Sequence, residues 1–149
     1  SISASIHFLY GVMVAWQICK QPAVAAHSTD SELRAMFMAT KLTIIFRNFM
    51  MHLGYKIPDP PTCHHEDNQP SIDIVTANKV SSRVRHIHIP VFYLHYQFDH
   101  GVFAPIFCQG CLMCADISTK PCAGPLHHRH YDWMRGKSFC LPISDDAPK

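Results

Sequence analysis

The stretch IHFLYGVMVAWQI, residues 6–18, alternates apolar side chains with other residues on both sides of Gly11. Alternation with a period of two is typical of β-strands, and a central glycine suits the turn between two of them. The stretch therefore predicts a β-hairpin, which ends at Lys20, Gln21 and Pro22.

A long helix is predicted after the hairpin, over residues 28–53. Thr29 and Glu32 have the spacing of a capping box, which makes Thr29 the predicted N-cap. Gly54 is a natural end for the helix, since glycine readily adopts the backbone conformation that follows a last helical turn. Apolar and small side chains recur at helical spacing along it: Leu33, Met36, Phe37, Thr40, Ile44 and Met51.

The rest of the chain predicts a mixed α/β order: strand, strand, helix, strand, helix, helix, strand, helix. Pro90 is expected in the first turn of one helix, and Gly101 at its end. The predicted elements are strands over 62–66 and 102–108, and helices over 70–77, 90–100, 113–119 and 126–135, followed by a polar tail.

Composition indicates one globular domain, since the 149 residues are 48% hydrophobic and 16% charged. A net charge of +2 does not by itself indicate a nucleic-acid partner. No apolar run reaches the roughly 20 residues of a membrane helix, so we expect no membrane association. We see no signal peptide, and the missing initial Met suggests part of a longer protein. The seven Cys favour a reducing, intracellular compartment over a disulfide framework.

Three acidic residues are candidate metal ligands: Glu32, Asp67 and Asp116. Each is predicted at or near an end of a regular element, and such carboxylates can converge on a divalent cation. Simpler roles compete with this reading. Glu32 would close the capping box, Asp67 would cap the next helix, and Asp116 would be a solvated helix residue.

Four segments in order favour the metal-binding reading. Together they resemble the ribonuclease H region that closes the Pol polyprotein of copia-type LTR retrotransposons, and the resemblance covers roughly residues 3–125. They are QPAVAAHSTDSE (21–32), EDNQ (66–69), SRVRHIHI (82–89) and ADISTKP (115–121).

The resemblance implies an α/β ribonuclease H-like fold over residues 1–125, a mixed sheet flanked by helices. Residues 126–149 would form a C-terminal helix and polar tail. It implies metal-dependent hydrolysis of the RNA strand of RNA–DNA hybrids by four acidic residues and two Mg²⁺, with Mn²⁺ as a substitute. Glu32, Asp67 and Asp116 match the second, third and fourth of these acidic residues.

The first acidic residue of that family lies on a central strand, between the hairpin and the Asp67 strand. Nothing acidic precedes Asp30 in this chain. We therefore expect both that strand and its carboxylate to be missing, and little nuclease activity from the chain alone.

A basic stretch, with Lys79, Arg83, Arg85 and His86, is the candidate contact with the phosphates of a hybrid. A solvated connector is the alternative. The resemblance further implies an upstream reverse transcriptase domain as partner, and a cytoplasmic virus-like particle or the nucleus as location.

Cysteine and histidine cluster near the C-terminal end and give the rival hypothesis. Thiolates and imidazoles at short spacing are zinc ligands, although two paired knuckles are missing and free Cys is commonly a buried apolar residue. We expect no zinc here. A zinc-stabilised or degenerate nucleic-acid-binding module without catalysis stays the alternative, on Cys108, Cys111, Cys114, Cys122, His127, His128 and His130.

Overall fold

The structure is a computed structural model that describes residues 2–21, 27–56, 61–77 and 87–137. Its first element is a β-hairpin. Strands β1 (Ile2–Leu9) and β2 (Val12–Lys20) pair antiparallel. The two residues between them, Tyr10 and Gly11, have φ values of 50° and 79°. Positive φ at both turn positions matches the right-handed twist of the flanking strands. The predicted hairpin is confirmed.

Helix α1 (Ser28–His52) follows, and its beginning differs from the prediction. The carbonyl oxygen of His27 already accepts hydrogen bonds from the N–H groups of Asp30 and Ser31. His27 is therefore the N-cap, without a side-chain capping bond, and the prediction of Thr29 as N-cap is wrong. Beyond the helix, Gly54 has a φ of 83°, as a glycine after the last turn commonly does.

The second half of the sheet structure is a parallel pair, β3 (Thr62–Glu66) and β4 (Phe103–Phe107). Parallel neighbours need a long crossover, which α2 (Gln69–Thr76) and α3 (His88–Asp99) provide here. The side chain of Asn68 accepts a hydrogen bond from the Ser71 N–H at 3.0 Å, so α2 begins one residue before the predicted Pro70. Helix α3 begins two residues before Pro90, which still lies in its first turn.

The chain after β4 forms two 3-10 turns, Gly110–Leu112 and Cys114–Ser118, and then helix α4 (Gly124–Met134). The predicted short helix over 113–119 is thus a 3-10 turn. Helix α4 packs against the second turn, where the Cys114 thiol donates to the His130 carbonyl oxygen at 3.7 Å. The predicted polar tail falls beyond residue 137, outside the described residues.

The core lies between α1, the crossover helices and β4. Its members are apolar, and most are wholly shielded from water: Leu33, Met36, Val75, Ile87, Val91, Leu94 and Phe103. The predicted mixed α/β class is confirmed, but the strands form two separate two-stranded sheets, β1–β2 and β3–β4. Neither α1 nor any other described helix combines the length and apolarity of a membrane-spanning segment.

Truncation of a core leucine tests this packing. Leu94 is 0% exposed, whereas Leu53 is 56% exposed. We expect Leu94→Ala to lower the free energy of unfolding by about 2–5 kcal/mol, because it removes buried methyl groups and leaves a cavity. Leu53→Ala is the control and should change it by less than about 0.5 kcal/mol. Urea unfolding measures both, and equal losses would contradict the assignment of the core.

Candidate metal centre

A cavity of about 970 Å³ lies between the two sheets. Residues of β1 and β3 line it on two sides, and α1 contributes small side chains such as Ala35 and Ala39. No described strand pairs with either β1 or β3 on the side facing this cavity. The acidic residues lie at one end of it.

The N-terminal end of β1 is held against α1, next to Glu32. The Gln21 side-chain amide donates to Ser3 Oγ at 2.6 Å and to the Ser31 carbonyl oxygen at 2.9 Å. Further along α1, the ring of Phe46 stacks on His7 of β1, with 6.1 Å between ring centroids. Strand β1 therefore advances along α1 in the direction of the helix.

Strand β3 runs along α1 in the opposite direction. Its first residue, Thr62, accepts a hydrogen bond from Arg47 Nη1 at 3.1 Å, and the ring of His64 bonds Thr43 Oγ1 at 2.9 Å. Its last residue, Glu66, lies beside Glu32. The C-terminal end of β3 therefore lies beside the beginning of α1, and the carboxylates of the two elements lie next to each other.

Three carboxylates converge at that place. Glu32, Glu66 and Asp67 each offer an oxygen atom, and these atoms all lie within 4.8 Å of one another. Among the described residues, no other group of three or more His, Cys, Asp or Glu side chains brings its ligand atoms this close together. Two of the three, Glu32 and Asp67, are residues that the sequence singled out.

The third residue, Glu66, was not predicted as a ligand from the sequence. It is 7% exposed, and its Oε1 accepts a hydrogen bond from the Asn68 N–H at 3.2 Å. Burial, with the nearby Glu32 and Asp67, raises the pKa of the Glu66 carboxyl to about 8. Burial also raises the pKa of Glu32, and Asp67 and Asp116 add to that shift.

Asp67 follows the last residue of β3 and retains access to solvent. Its Oδ2 lies 3.4 Å from the position that a Cβ of Gly110 would occupy, so the first 3-10 turn closes against it. Asn68, and not Asp67, caps α2. The capping alternatives for Asp67 and Glu32 are thus not what the structure forms, because Asn68 and His27 hold the cap positions.

Asp116 lines the same cavity from the second 3-10 turn, but it is not one of the three converging ligands. Its carboxylate forms an ion pair with Lys120, with 2.9 Å between Oδ1 and Nζ. The hydrogen bond to Asp116 raises the pKa of Lys120, and the carboxylates of Asp67 and Glu32 add to the rise.

The remaining candidates are placed as follows. Lys79, Arg83, Arg85 and His86 lie outside the described residues. The candidate zinc ligands are described, and no three of them bring their ligand atoms within 4.8 Å of one another. Cys108 and Cys114 are buried, and Cys111 is exposed.

No protein-family model matches this chain, and no solved structure is significantly similar to it. Its function is therefore inferred from the residues that line the cavity and from the sequence segments that carry them.

The pH dependence of stability tests the position of Glu66. The pKa of Glu66 is about 8 in the folded chain, against an ordinary value of 4.5, so protonation of Glu66 favours folding. This contribution is complete below pH 4.5, declines as the pH rises toward 8, and is absent above that. In EDTA, we expect the wild type to lose up to about 1.4 kcal/mol of unfolding free energy per pH unit within this window.

The variant Glu66→Gln cannot ionise and should flatten that slope, which urea unfolding at several pH values measures. Asp132→Asn, on a side chain that is 51% exposed, is the matched control and should keep the wild-type slope. Equal slopes for Glu66→Gln and the wild type would contradict the burial of an acidic Glu66.

Proposed function

We propose that this chain is a ribonuclease H-like domain of a copia-type retrotransposon Pol polyprotein. Its parent activity would be metal-dependent hydrolysis of the RNA strand of an RNA–DNA hybrid during reverse transcription. The observation that carries the proposal is the convergence of Glu32, Glu66 and Asp67, with Asp116 lining the same cavity. These residues come from three of the four segments on which the resemblance depends.

The donor set fits a hard divalent cation such as Mg²⁺ or Mn²⁺. Carboxylate oxygens are the ligands that these ions prefer, and three of them are already gathered within 4.8 Å. Burial and two neighbouring carboxylates raise the pKa of Glu66, so they disfavour its ionised form. A divalent ion bound there would favour the ionised form of Glu66.

In such a site the ion supplies an activated water and stabilises charge that develops on the phosphate. The chain's own residues would hold the ion and orient it toward the phosphate. Glu32 is fixed on a helix whose first turns are tied to β1 through Gln21. Asp67 retains access to solvent, through which a phosphate can approach it. Glu66 contributes from the buried side.

The gap between the sheets supports the fold part of the proposal. One strand between β1 and β3 would join two pairs into the five-stranded mixed sheet that the resemblance implies. Because β1 and β3 run in opposite directions along α1, such a strand would be parallel to one and antiparallel to the other. No described strand supplies a carboxylate from that gap, so we expect weak or no cleavage by these residues alone.

The proposal includes the partners of the parent protein. Lys79, Arg83, Arg85 and His86 would contact phosphates of the hybrid, since contacts of this kind hold a duplex without reading its sequence. A reverse transcriptase domain of the same polyprotein would supply the hybrid. The setting would be a virus-like particle in the cytoplasm, or the nucleus.

Binding of an RNA–DNA hybrid with and without a divalent ion tests the function. Without the ion, the carboxylates repel the phosphates. With Mg²⁺ at constant ionic strength, we expect the hybrid to bind at least about tenfold more tightly, through charge neutralisation at the cavity. Asp67→Asn should bind more tightly than the wild type in EDTA and more weakly in Mg²⁺. Fluorescence anisotropy with a labelled hybrid measures both.

The control is Asp73→Asn on α2, whose side chain is exposed and bonds Gln69. It should follow the wild type in both buffers. No effect of Mg²⁺ on the wild type, together with stoichiometric zinc in the purified protein, would favour the zinc-stabilised module. Rapid cleavage of the hybrid by the wild type, lost in Asp67→Asn, would contradict only the expected inactivity.

A further inference from the structure

Helix α3 carries four aromatic rings on its solvent side. They recur at every fourth residue: His88, Phe92, Tyr96 and His100, the last of which is the C-cap. All four residues are exposed, with Phe92 at 56% and Tyr96 at 58%. Residues four apart in a helix lie above one another on one face, with an axial rise of about 6 Å. These four residues form the ring row of α3.

The ring row is not the face through which α3 packs. Val91 and Leu94 hold the helix in the core, and both are 0% exposed. The ring of His95 bonds the Ile74 carbonyl oxygen of α2 at 2.8 Å. Single exposed apolar residues are normal on a protein surface, whereas a contiguous exposed patch indicates a surface that binds a partner.

Contacts between neighbouring rings order the row. The ring of Tyr96 stacks on that of His100, with 4.0 Å between centroids and 28° between planes. The ring of His88 meets Phe92 edge-on at 5.8 Å, and His100 Nδ1 is hydrogen-bonded to the Tyr96 carbonyl oxygen at 2.7 Å. Side chains that are already ordered lose little conformational freedom when a ligand binds to them. The row is therefore preorganised for a partner with flat rings.

The charges near the row favour an anionic partner. The first turn of α3 carries no acidic residue, and the N-terminal end of a helix attracts anions. The one acidic residue of α3 is Asp99, its last residue. Lys79, Arg83 and Arg85 precede the row in the sequence. A partner that combines flat rings with negative charge fits this surface.

We propose that the ring row binds single-stranded nucleic acid, with unpaired bases stacked on Phe92 and Tyr96. Aromatic side chains beside positive charge bind single strands in this way without reading their sequence. Bases of a single strand can be splayed out onto such rings, whereas those of a duplex are stacked on one another. None of the four residues lines the carboxylate cavity, so the inference does not depend on the proposed metal-dependent function.

An apolar protein surface is the rival occupant. Ile89 is 81% exposed and lies on the same face of α3 as the ring row. A protein partner would contact this aliphatic side chain as well as the rings, but a nucleic-acid base has no flat face to stack on there. Ile89→Ala is therefore the matched control, because it removes apolar area from the same face without removing a ring.

The experiment compares two single strands of equal length and equal charge. One is oligothymidylate, and the other has the same phosphates but abasic sugars. Fluorescence anisotropy measures the binding of each to the whole 149-residue chain in EDTA at low salt. We expect the wild type to bind oligothymidylate at least about tenfold more tightly than the abasic strand. Phe92→Ala and Tyr96→Ala should each weaken binding of oligothymidylate by about five- to tenfold and leave the abasic strand unaffected.

Tyr96→Phe keeps the ring and should bind as the wild type does, and so should Ile89→Ala. Equal affinities of the wild type for the two strands, or no binding of either, would overturn the inference. Unchanged binding by both Phe92→Ala and Tyr96→Ala would also overturn it. A loss in Ile89→Ala as large as that in Tyr96→Ala would overturn it in favour of the apolar partner. All these positions are exposed, so the variants should fold, and circular dichroism checks this.

Discussion

Helix α1 holds together two β-ribbons that do not pair with each other. It contacts the hairpin through Gln21 and through Phe46 on His7, and it contacts the parallel pair through Thr43 and Arg47. Within a continuous sheet, backbone hydrogen bonds set the spacing of neighbouring strands. Here side-chain contacts with α1 bridge the two ribbons instead, while the second 3-10 turn contacts β1 and α4 contacts β2. The cavity is the space that results.

The same arrangement concentrates negative charge at one end of the cavity. Strand β3 runs against the direction of α1, so its last residue and the first turns of the helix deliver their carboxylates together. Three features of the chain offset the repulsion. Glu66 has a raised pKa, the Asn68 N–H donates to its oxygen, and Lys120 pairs with Asp116. A bound divalent ion would replace the first of these with a direct charge interaction.

Alternation predicts the hairpin and helical spacing predicts the long helix, whereas the positions of proline and glycine predict the crossover helices. The alternating apolar side chains of β2 are nevertheless exposed, with Trp16 at 63% and Ile18 at 51%. The sequence patterns fail where a few backbone hydrogen bonds decide the outcome. The carbonyl of His27 begins α1 two residues before Thr29, and the residues around Asp116 form a 3-10 turn with no apolar face to reveal it.

Glu66 was missed for a related reason. Adjacent residues of a strand point to opposite faces, so a strand ending in Glu66 and Asp67 suggests one buried side chain and one ligand. The strand ends at Glu66, however, and the chain turns there, which allows both carboxylates to reach Glu32. The Cys and His residues show the converse, because closeness in sequence did not bring three of their ligand atoms together among the described residues.

The two tryptophans report on different parts of this architecture. Trp16 lies on β2 of the hairpin and is 63% exposed, whereas Trp133 of α4 is 7% exposed and lies edge-on to the ring of His130. Their indole emission should therefore differ in colour, with Trp16 near the wavelength of a hydrated indole and Trp133 shifted to the blue. The intrinsic fluorescence of the chain thus carries two optical signals, one from an exposed side chain of β2 and one from a buried side chain of α4.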